Sequence, residues 1–239
     1  MHDTEGPPGG IEEFSLAPAD PAYRGQAIYT RRALRIYDTL VVRFSNSAVW
    51  HCPARRIAGH YRRHLTASHL DIGPGTGYYL DRVRFPADGA PSLTLLDPNP
   101  EVLRYAARRL RRYHPLLHAA DALKPIAIEP ASFQSVGLSY VLHCLPGDID
   151  AKAVVLDHVI PLLAPGGVVF GATILNGGVR HTRLARRLIG LYNHKGIFSN
   201  LHDDLDGLER ALASRFEHHA LEVSGSVALF AGWTRSRPS

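Results

Sequence analysis

The chain has 239 residues, of which 45% are hydrophobic and 21% are charged, and its 27 Lys and Arg against 22 Asp and Glu give a formal net charge of +5. This composition is that of an ordinary soluble globular protein with one sizeable core. The excess of positive charge is small and is not by itself a nucleic-acid signature.

Cysteine usage and hydropathy exclude several other classes of protein. Cys52 and Cys144 lie far apart, and the chain has neither a Cys-x-x-Cys pair nor a Cys/His spacing typical of metal ligands. This usage favours a reducing cytoplasm over a disulfide framework, and we predict no bound metal. We find no charged-then-apolar leader and no apolar run of the ~18 residues that a membrane span needs. We therefore expect a cytoplasmic protein without a membrane partner.

The first 66 residues are predicted to precede the main domain. Proline and glycine are frequent in residues 1–25, which are expected to form a flexible arm. Residues 26–66 carry apolar side chains at helical spacing and are predicted to form a helical cap of two helices, with a break at Pro53.

Residues 67–239 alternate between strand-like and helix-like segments. The predicted strands are 68–72, 92–97, 116–119, 134–140, 167–173, 216–223 and 226–233, and the predicted helices are 77–84, 99–112, 151–163, 180–192 and 204–214. Five strands that alternate with helices, followed by two strands separated only by Ser224 and Gly225, predict an α/β fold. We expect a Rossmann-like, seven-stranded, mostly parallel sheet that ends in an antiparallel C-terminal hairpin, with an insertion at about 175–204.

The densest motif lies at residues 70–80, where a predicted strand runs into Gly73, Gly75 and Gly77. Glycines at this density let the backbone turn sharply and approach a ligand at the N-terminus of the next helix. Asp71 before the glycines and Asp97 at the end of the next strand add carboxylates that suit a nucleoside. The Gly-x-Gly-x-Gly spacing leaves less room for a pyrophosphate than the dinucleotide Gly-x-Gly-x-x-Gly, which argues against NAD.

Further motifs follow the glycines in order: Asp97, Ala120-Asp121, the segment Ser139–Leu145 and Leu163-Ala-Pro-Gly-Gly167. With this ordered set, residues 68–233 resemble the class I S-adenosylmethionine-dependent methyltransferases. One departure is Phe133-Gln134, which stands where the family usually has an aromatic-Asp pair.

The resemblance implies S-adenosylmethionine as cofactor, S-adenosylhomocysteine as product, and a set of cofactor-binding residues. It implies that the glycines contact the methionine portion and that Asp97 holds the ribose. Pro98 and Asn99 would flank the adenine, and Asp121 with Ala122 would bind its edge. It also places aromatic residues of the N-terminal helices over the cofactor, with core packing of these helices as the alternative. The implied residues are Tyr29, Tyr37, Asp71, Gly73, Gly75, Gly77, Asp97, Pro98, Asn99, Asp121, Ala122, Ser139, Tyr140 and His143.

His143 and Tyr140 are the candidate catalytic residues. His143 would act as a general base because the ordinary pKa of histidine lies near neutrality, although a position in the cofactor pocket is the alternative. The ring of Tyr140 could stabilise a cationic sulfonium. Acceptor contacts are expected from an aromatic residue of the cap and from polar residues of the insertion, namely Trp50, Asn193, His194, Ser199 and Asn200. The alternative for the insertion is a simple connection, with Asp203 or Asp204 capping the following helix.

These observations favour methyl transfer to a small-molecule acceptor, as in bacterial secondary metabolism, with the acceptor atom (oxygen, nitrogen or carbon) left open. An RNA methyltransferase is one alternative, but the chain lacks the Asn/Asp-Pro-Pro-aromatic motif of amino-group methylases, which argues against a nucleic-acid partner. A non-catalytic, S-adenosylmethionine-binding regulatory protein is the other. A homo-oligomer is compatible with the sequence.

Overall fold

The computed structural model describes residues 46–86 and 90–236. The predicted arm at 1–25, most of the predicted cap, and Tyr29 and Tyr37 lie outside the described residues. Of the cap, the structure describes a single helical turn, Asn46–Ala48, and helix α1, Ala54–His64. Pro53 precedes α1 directly, as the predicted break requires.

Seven strands form one sheet. They are β1 Ser68–Ile72, β2 Ser92–Leu96, β3 Leu116–His118, β4 Phe133–Ser139, β5 Leu163–Ile174, β6 His218–Ser224 and β7 Val227–Trp233. Their order in the sheet is β3-β2-β1-β4-β5-β7-β6. Strands β1 to β5 are parallel, whereas β7 pairs antiparallel with both β5 and β6. The predicted fold is therefore confirmed.

Helices pack on both faces of this sheet. One hydrophobic core packs α1 and the short helix after the three glycines against one face of the sheet. Ile57, Leu80 and Phe170 are fully buried in this core. The other core holds Val155 and Leu212 against the opposite face. Neighbouring residues of β5, Val169 and Phe170, point into different cores, as the period of a strand requires. The remaining helices are α2 Tyr78–Arg82, α3 Pro100–Arg109, α4 Ile149–Lys152, α5 Val154–Val159, α6 Arg183–His194 and α7 Leu205–Ala213.

The helix predicted at 151–163 is wrong in its extent. It is divided into α4, α5 and a 3-10 turn at Ile160–Leu162 that contains Pro161, which cannot donate a backbone hydrogen bond. Strand β5 also begins at Leu163, before the predicted position, because Leu163 pairs with Phe133 and the chain bulges before Val168 pairs with Ser135.

The carboxyl ends of the parallel strands meet at one edge of the sheet, and in open α/β sheets this edge is where ligands bind. Gly73 follows β1, Asp97 follows β2, Tyr140 follows β4 and Leu175 follows β5 at this edge. In the part of the chain that the structure describes, no helix combines the length and apolar character needed to cross a bilayer.

Candidate active site

A cleft opens at the carboxyl edge above β1, β2 and β4. Most of its wall is apolar, and its polar groups come from two carboxylates, one amide side chain, one phenol, one thiol and the backbone. Most residues implied for the nucleoside part of the cofactor line it. The lining residues are Ile72, Gly73, Gly75, Leu96, Asp97, Pro98, Asn99, Val102, Asp121, Ala122, Tyr140, Val141, Cys144 and Leu145.

The three glycines of the turn after β1 serve different purposes, although all have positive φ, 61° at Gly73, 54° at Gly75 and 72° at Gly77. A Cβ at Gly73 would lie 2.6 Å from Val141, and one at Gly77 would lie 3.1 Å from Leu110. A Cβ at Gly75 would meet no atom within 4 Å and would enter the cleft. Gly73 and Gly77 therefore allow protein packing, whereas Gly75 leaves space for a ligand.

The acidity of Asp97, which lines the cleft, is strongly perturbed. Its Oδ1 accepts a hydrogen bond of 2.8 Å from the backbone N–H of Asn99. Burial raises the pKa of the Asp97 carboxyl to about 7, and the hydrogen bond from Asn99 only partly opposes this effect. Ligand hydroxyls that donate to this carboxylate would replace the missing solvation, which fits a ribose.

Asn99 and Asp121 are fixed by the local backbone. The side-chain oxygen of Asn99 accepts from the N–H of Glu101 at 2.9 Å and caps α3. Asp121 Oδ1 accepts from the N–H of Leu123 at 3.0 Å, and Oδ2 lies 3.6 Å from Lys124 Nζ. Each side chain is therefore held in place at the cleft before any ligand binds.

Comparison with known proteins agrees with this geometry. Residues 70–169 match the sequence family described as Methyltransferase domain. The chain is 40% identical to demethylluteothin O-methyltransferase of Streptomyces thioluteus over 88% of this chain and 91% of that protein. It is 36% identical to the physcion biosynthesis cluster O-methyltransferase of Aspergillus chevalieri over 88% and 95% of the two chains. The chain belongs to the S-adenosylmethionine-dependent methyltransferase family.

The fold of the methyltransferase is also that of solved structures. The N-methyltransferase NodS from Bradyrhizobium japonicum WM9, in complex with S-adenosyl-l-homocysteine, superposes with a TM-score of 0.57 at 16% identity, over 92% of this chain and all of that one. S-Adenosylmethionine is the cofactor of this enzyme. The residues present fit its adenosyl group, since the open space at Gly75 and the under-solvated carboxylate of Asp97 face the same cleft.

Asp71 lies beneath the glycine turn, and the structure does not bring it to the lining of the cleft. It is 3% exposed, and its Oδ1 accepts from the Tyr61 hydroxyl at 3.0 Å and lies 3.6 Å from His69 Nε2. A Cβ at Gly137 would lie 2.6 Å from the same oxygen. Asp71 thus connects the strand before the turn to α1 of the methyltransferase.

Tyr140 lines the cleft with its backbone in the left-handed region, at φ 64°. Its N–H donates to the Ala172 carbonyl at 2.6 Å, and its ring stacks 6.4 Å from that of Tyr79. Such a conformation in a bulky residue costs about 1–3 kcal/mol and persists where the surroundings impose it. Ser139 is buried just before it. Burial, together with the nearby Asp71 carboxylate, raises the pKa of the Tyr61 hydroxyl well above its usual value.

The surroundings of His143 do not favour the general-base role, which remains a prediction. The ring is 3% exposed, and burial, assisted by the charge of Lys152, lowers the pKa of His143 to about 3. Its Nδ1 accepts from the N–H of Ile174 at 3.4 Å, which leaves the proton of the neutral ring on Nε2. The ring packs edge-on against Phe198, 4.6 Å away. In this state His143 is a neutral donor, not a base poised near pH 7.

Two of the predicted acceptor-binding residues, Asn193 and Asn200, are hydrogen-bonded to each other. Asn193 Nδ2 donates to Asn200 Oδ1 at 2.8 Å, and the Asn200 N–H donates back to Asn193 Oδ1 at 3.0 Å. Asn200 Nδ2 also donates to the carbonyl of Ile174 at 2.9 Å. This pair closes the loop after α6 onto the end of β5, and neither residue lines the cleft.

The other predicted acceptor residues do not line the cleft either. Trp50 is 2% exposed in the core, where its ring lies 6.0 Å from Phe198. His194 is exposed at the end of α6, and the N–H of Ser199 donates to the carbonyl of His143 at 2.8 Å. Asp204 caps α7 by accepting from Gly207, so the alternative prediction for this residue is confirmed.

Sequence reasoning missed the apolar wall of the cleft and a buried ion pair behind it. Val141, Cys144 and Leu145 line the cleft, and their position inside the Ser139–Leu145 motif was the available signal. Burial raises the pKa of the Cys144 thiol to about 12, which excludes a thiolate nucleophile at neutral pH.

The buried ion pair behind the cleft joins Lys152 to Asp203. Lys152 Nζ donates to Asp203 Oδ2 and to the Ser199 carbonyl, both at 2.5 Å, in a fully buried site.

Proposed function

We propose that the enzyme transfers a methyl group to a hydroxyl oxygen of a small molecule in bacterial secondary metabolism, and that it acts in the cytoplasm. The observation that carries this proposal is the 40% identity, over nearly the whole length of both chains, to a Streptomyces protein named as an O-methyltransferase. The fungal relative is also named as an O-methyltransferase.

The chemistry of the cleft supports an acceptor whose hydroxyl ionises readily. S-Adenosylmethionine supplies an electrophilic methyl group, so the protein must align an oxygen nucleophile, exclude water and allow loss of a proton. Of the residues predicted for catalysis, His143 is neutral with its proton on Nε2, and Tyr140 is a phenol. Enols and phenols activated by a conjugated carbonyl need little help from a base, and these are the acceptors that we propose.

The side chains around the acceptor end would bind and orient rather than react. Val141 and Leu145 offer an apolar wall that excludes water, and Tyr140 presents an aromatic ring to a cation.

The proposal is tested by incubating the purified enzyme with S-adenosylmethionine and a matched panel of aromatic alcohols, amines and carbon nucleophiles. Mass spectrometry detects the added methyl group, and NMR locates the atom that carries it. We expect methylation of acidic hydroxyls only. Methylation at nitrogen or carbon would overturn the proposed chemistry, methylation of bulk RNA would favour the RNA enzyme, and donor binding without transfer to any acceptor would favour a regulatory protein.

A further inference from the structure

One surface helix of the enzyme, α6, combines exposed leucines with positive charge. Leu184 and Leu191 on α6 are 51% and 43% exposed, and Leu201 in the loop after it is 53% exposed. Single exposed leucines are common on protein surfaces, whereas several on one element indicate an interaction site.

The leucines of α6 form a row beside its buried face. Ala185 and Ile189 are buried and attach the helix to the core. Leu184, Leu188 and Leu191 follow the i, i+4, i+7 spacing of a single helix face, and Leu188 is half-buried between the two exposed side chains. We name these three residues the leucine row. Because the buried face fixes the helix, the leucine row is held at the surface.

The stretch that contains the leucine row carries only positive formal charge. Residues 176–202 include five Lys and Arg and no Asp or Glu. They therefore account for the whole formal net charge of +5, and the rest of the chain is balanced. Arg183 and Arg187 are four residues apart, are exposed, and border the leucine row on its solvent side.

The arginines of α6 are unpaired within the described ranges. Elsewhere on the surface, Arg104 pairs with a carboxylate at 2.6 Å and Arg215 with another at 2.7 Å. None of Arg183, Arg186 and Arg187 forms a hydrogen bond or an ion pair with a described residue. A row of free arginines beside a row of leucines is complementary to anionic groups that lie above an apolar layer.

The dimensions of this face favour a lipid surface over a folded protein partner. The helix has 12 residues, so its face is about 18 Å long and about 10 Å wide, or about 200 Å² in area. A stable protein interface takes about 800 Å² from each partner. A lipid layer sets no such minimum, because leucines enter the boundary between headgroups and acyl chains and arginines reach the headgroups. Leucines also offer no ring on which the bases of a nucleic acid could stack.

We propose that α6 binds the surface of membranes that contain anionic phospholipids. The leucine row enters the headgroup layer, and Arg183 and Arg187 pair with the phosphates. The helix lies along the surface and spans nothing, so this partner differs from the sequence expectation, which considered only spanning segments. The inference does not depend on the proposed function, because it concerns where the enzyme binds and not what it methylates.

The test measures co-sedimentation of the full-length enzyme with lipid vesicles. One set of vesicles contains phosphatidylcholine alone, and the other also contains phosphatidylglycerol. We expect the wild-type enzyme to partition at least about tenfold more strongly onto the anionic vesicles, and we expect added salt to weaken this binding.

Two double variants each remove one component of the face. Leu184→Ser with Leu191→Ser removes the apolar contacts, and Arg183→Gln with Arg187→Gln removes two charges. Each should weaken partitioning onto the anionic vesicles by at least about tenfold.

Two matched controls make the same changes elsewhere on the surface. Leu116→Ser replaces a leucine that is 66% exposed on β3. Arg62→Gln with Arg63→Gln removes two exposed charges from α1. Both controls should bind vesicles as the wild type does. All the substituted residues are exposed, so every variant should keep the wild-type Tm.

Several results would overturn the inference. These are equal partitioning onto the two sets of vesicles, no binding by the wild type, a leucine variant that binds as the wild type does, and a control that loses as much as its α6 counterpart. Binding of bulk RNA that needs the arginines but not the leucines would assign the face to a nucleic acid instead. Since partitioning is measured without turnover, each of these outcomes is separate from failure of the proposed methyl transfer.

Discussion

Asp97 is the residue on which we expect cofactor recognition to depend most. Its carboxyl has a pKa of about 7 because burial disfavours the charge. Hydroxyls of a bound ribose would donate to the ionised form, so the ligand must compete with a proton below pH 7. The affinity for the cofactor should therefore depend on pH through the ionisation of this one carboxyl group.

We predict that the affinity for S-adenosylhomocysteine falls as the pH is lowered below 7, approaching tenfold per pH unit. The sign follows because the proton-free carboxylate is the form that accepts the ribose hydroxyls. Calorimetry between pH 5.5 and pH 8 measures this dependence. Asp97→Ala should weaken binding at pH 8 by at least ~1 kcal/mol, and Asp97→Asn should give a flat profile. An unchanged profile in Asp97→Asn would refute the ribose assignment.

Gly75 provides the second test at the residue scale. A valine there would place its side chain in the space left for the ligand, and its positive φ also disfavours a β-branched residue. We predict that Gly75→Val abolishes cofactor binding. Gly59→Val is the matched control, since a Cβ at Gly59 also meets no atom within 4 Å but lies on α1, away from the cleft. Equal affinities of the two variants would contradict the role assigned to Gly75.

His143 provides a pH test of the catalytic step. Since its pKa is about 3, its imidazole is neutral throughout the range from pH 5 to pH 8. We predict that the pH dependence of kcat follows the ionisation of the acceptor hydroxyl and has the same midpoint in His143→Gln. A rising limb near pH 6.5 that disappears in His143→Gln would restore the general base.

At the scale of elements, Lys152 of α4 fixes the segment between α6 and α7. Its ammonium pairs with Asp203 in a site with no exposed surface on either side chain, and Asp203 Oδ1 has no hydrogen-bond partner among the residues that the structure describes. The backbone carbonyl of Asp203 accepts from Asn176 and Gly177, which ties the same segment to the end of β5. Removing one charge would leave the other buried and unpaired.

We predict that Lys152→Met lowers the free energy of unfolding by about 3–5 kcal/mol, as expected when one partner of a buried ion pair is lost. Urea denaturation measures the change. The double variant Lys152→Met with Asp203→Leu should recover part of the loss because it removes the orphaned carboxylate as well. A double variant as unstable as the sum of both single variants would show that the two side chains do not interact.

At the scale of the whole molecule, the sequence predicted the sheet because its signals are local. The alternation of Leu70 and Ile72 with polar residues, and the glycines that follow, define β1 and its turn without reference to the rest of the chain. The start of β5 was missed because it depends on pairing with Phe133 across a bulge, a contact between distant segments.

The same distinction between local signals and long-range contacts explains which site residues could be predicted from the sequence. Gly75, Asp97 and Asp121 follow the ends of strands that the sequence pattern predicts, so their position in the cleft could be predicted as well. Asn193 and Asn200 looked like ligand-binding residues because they are polar and lie in a long connection. Their mutual hydrogen bonds exist only once the loop closes onto Ile174. Likewise, the pKa of His143 depends on burial that no local pattern reveals.

The measurement that tests the account most directly is a crystal structure of the enzyme grown with S-adenosylhomocysteine. The account predicts the adenosyl group in the cleft, with ribose hydroxyls hydrogen-bonded to Asp97 and the ligand passing over Gly75. Ligand density elsewhere, or a cleft filled by the protein's own side chains at saturating ligand, would contradict it.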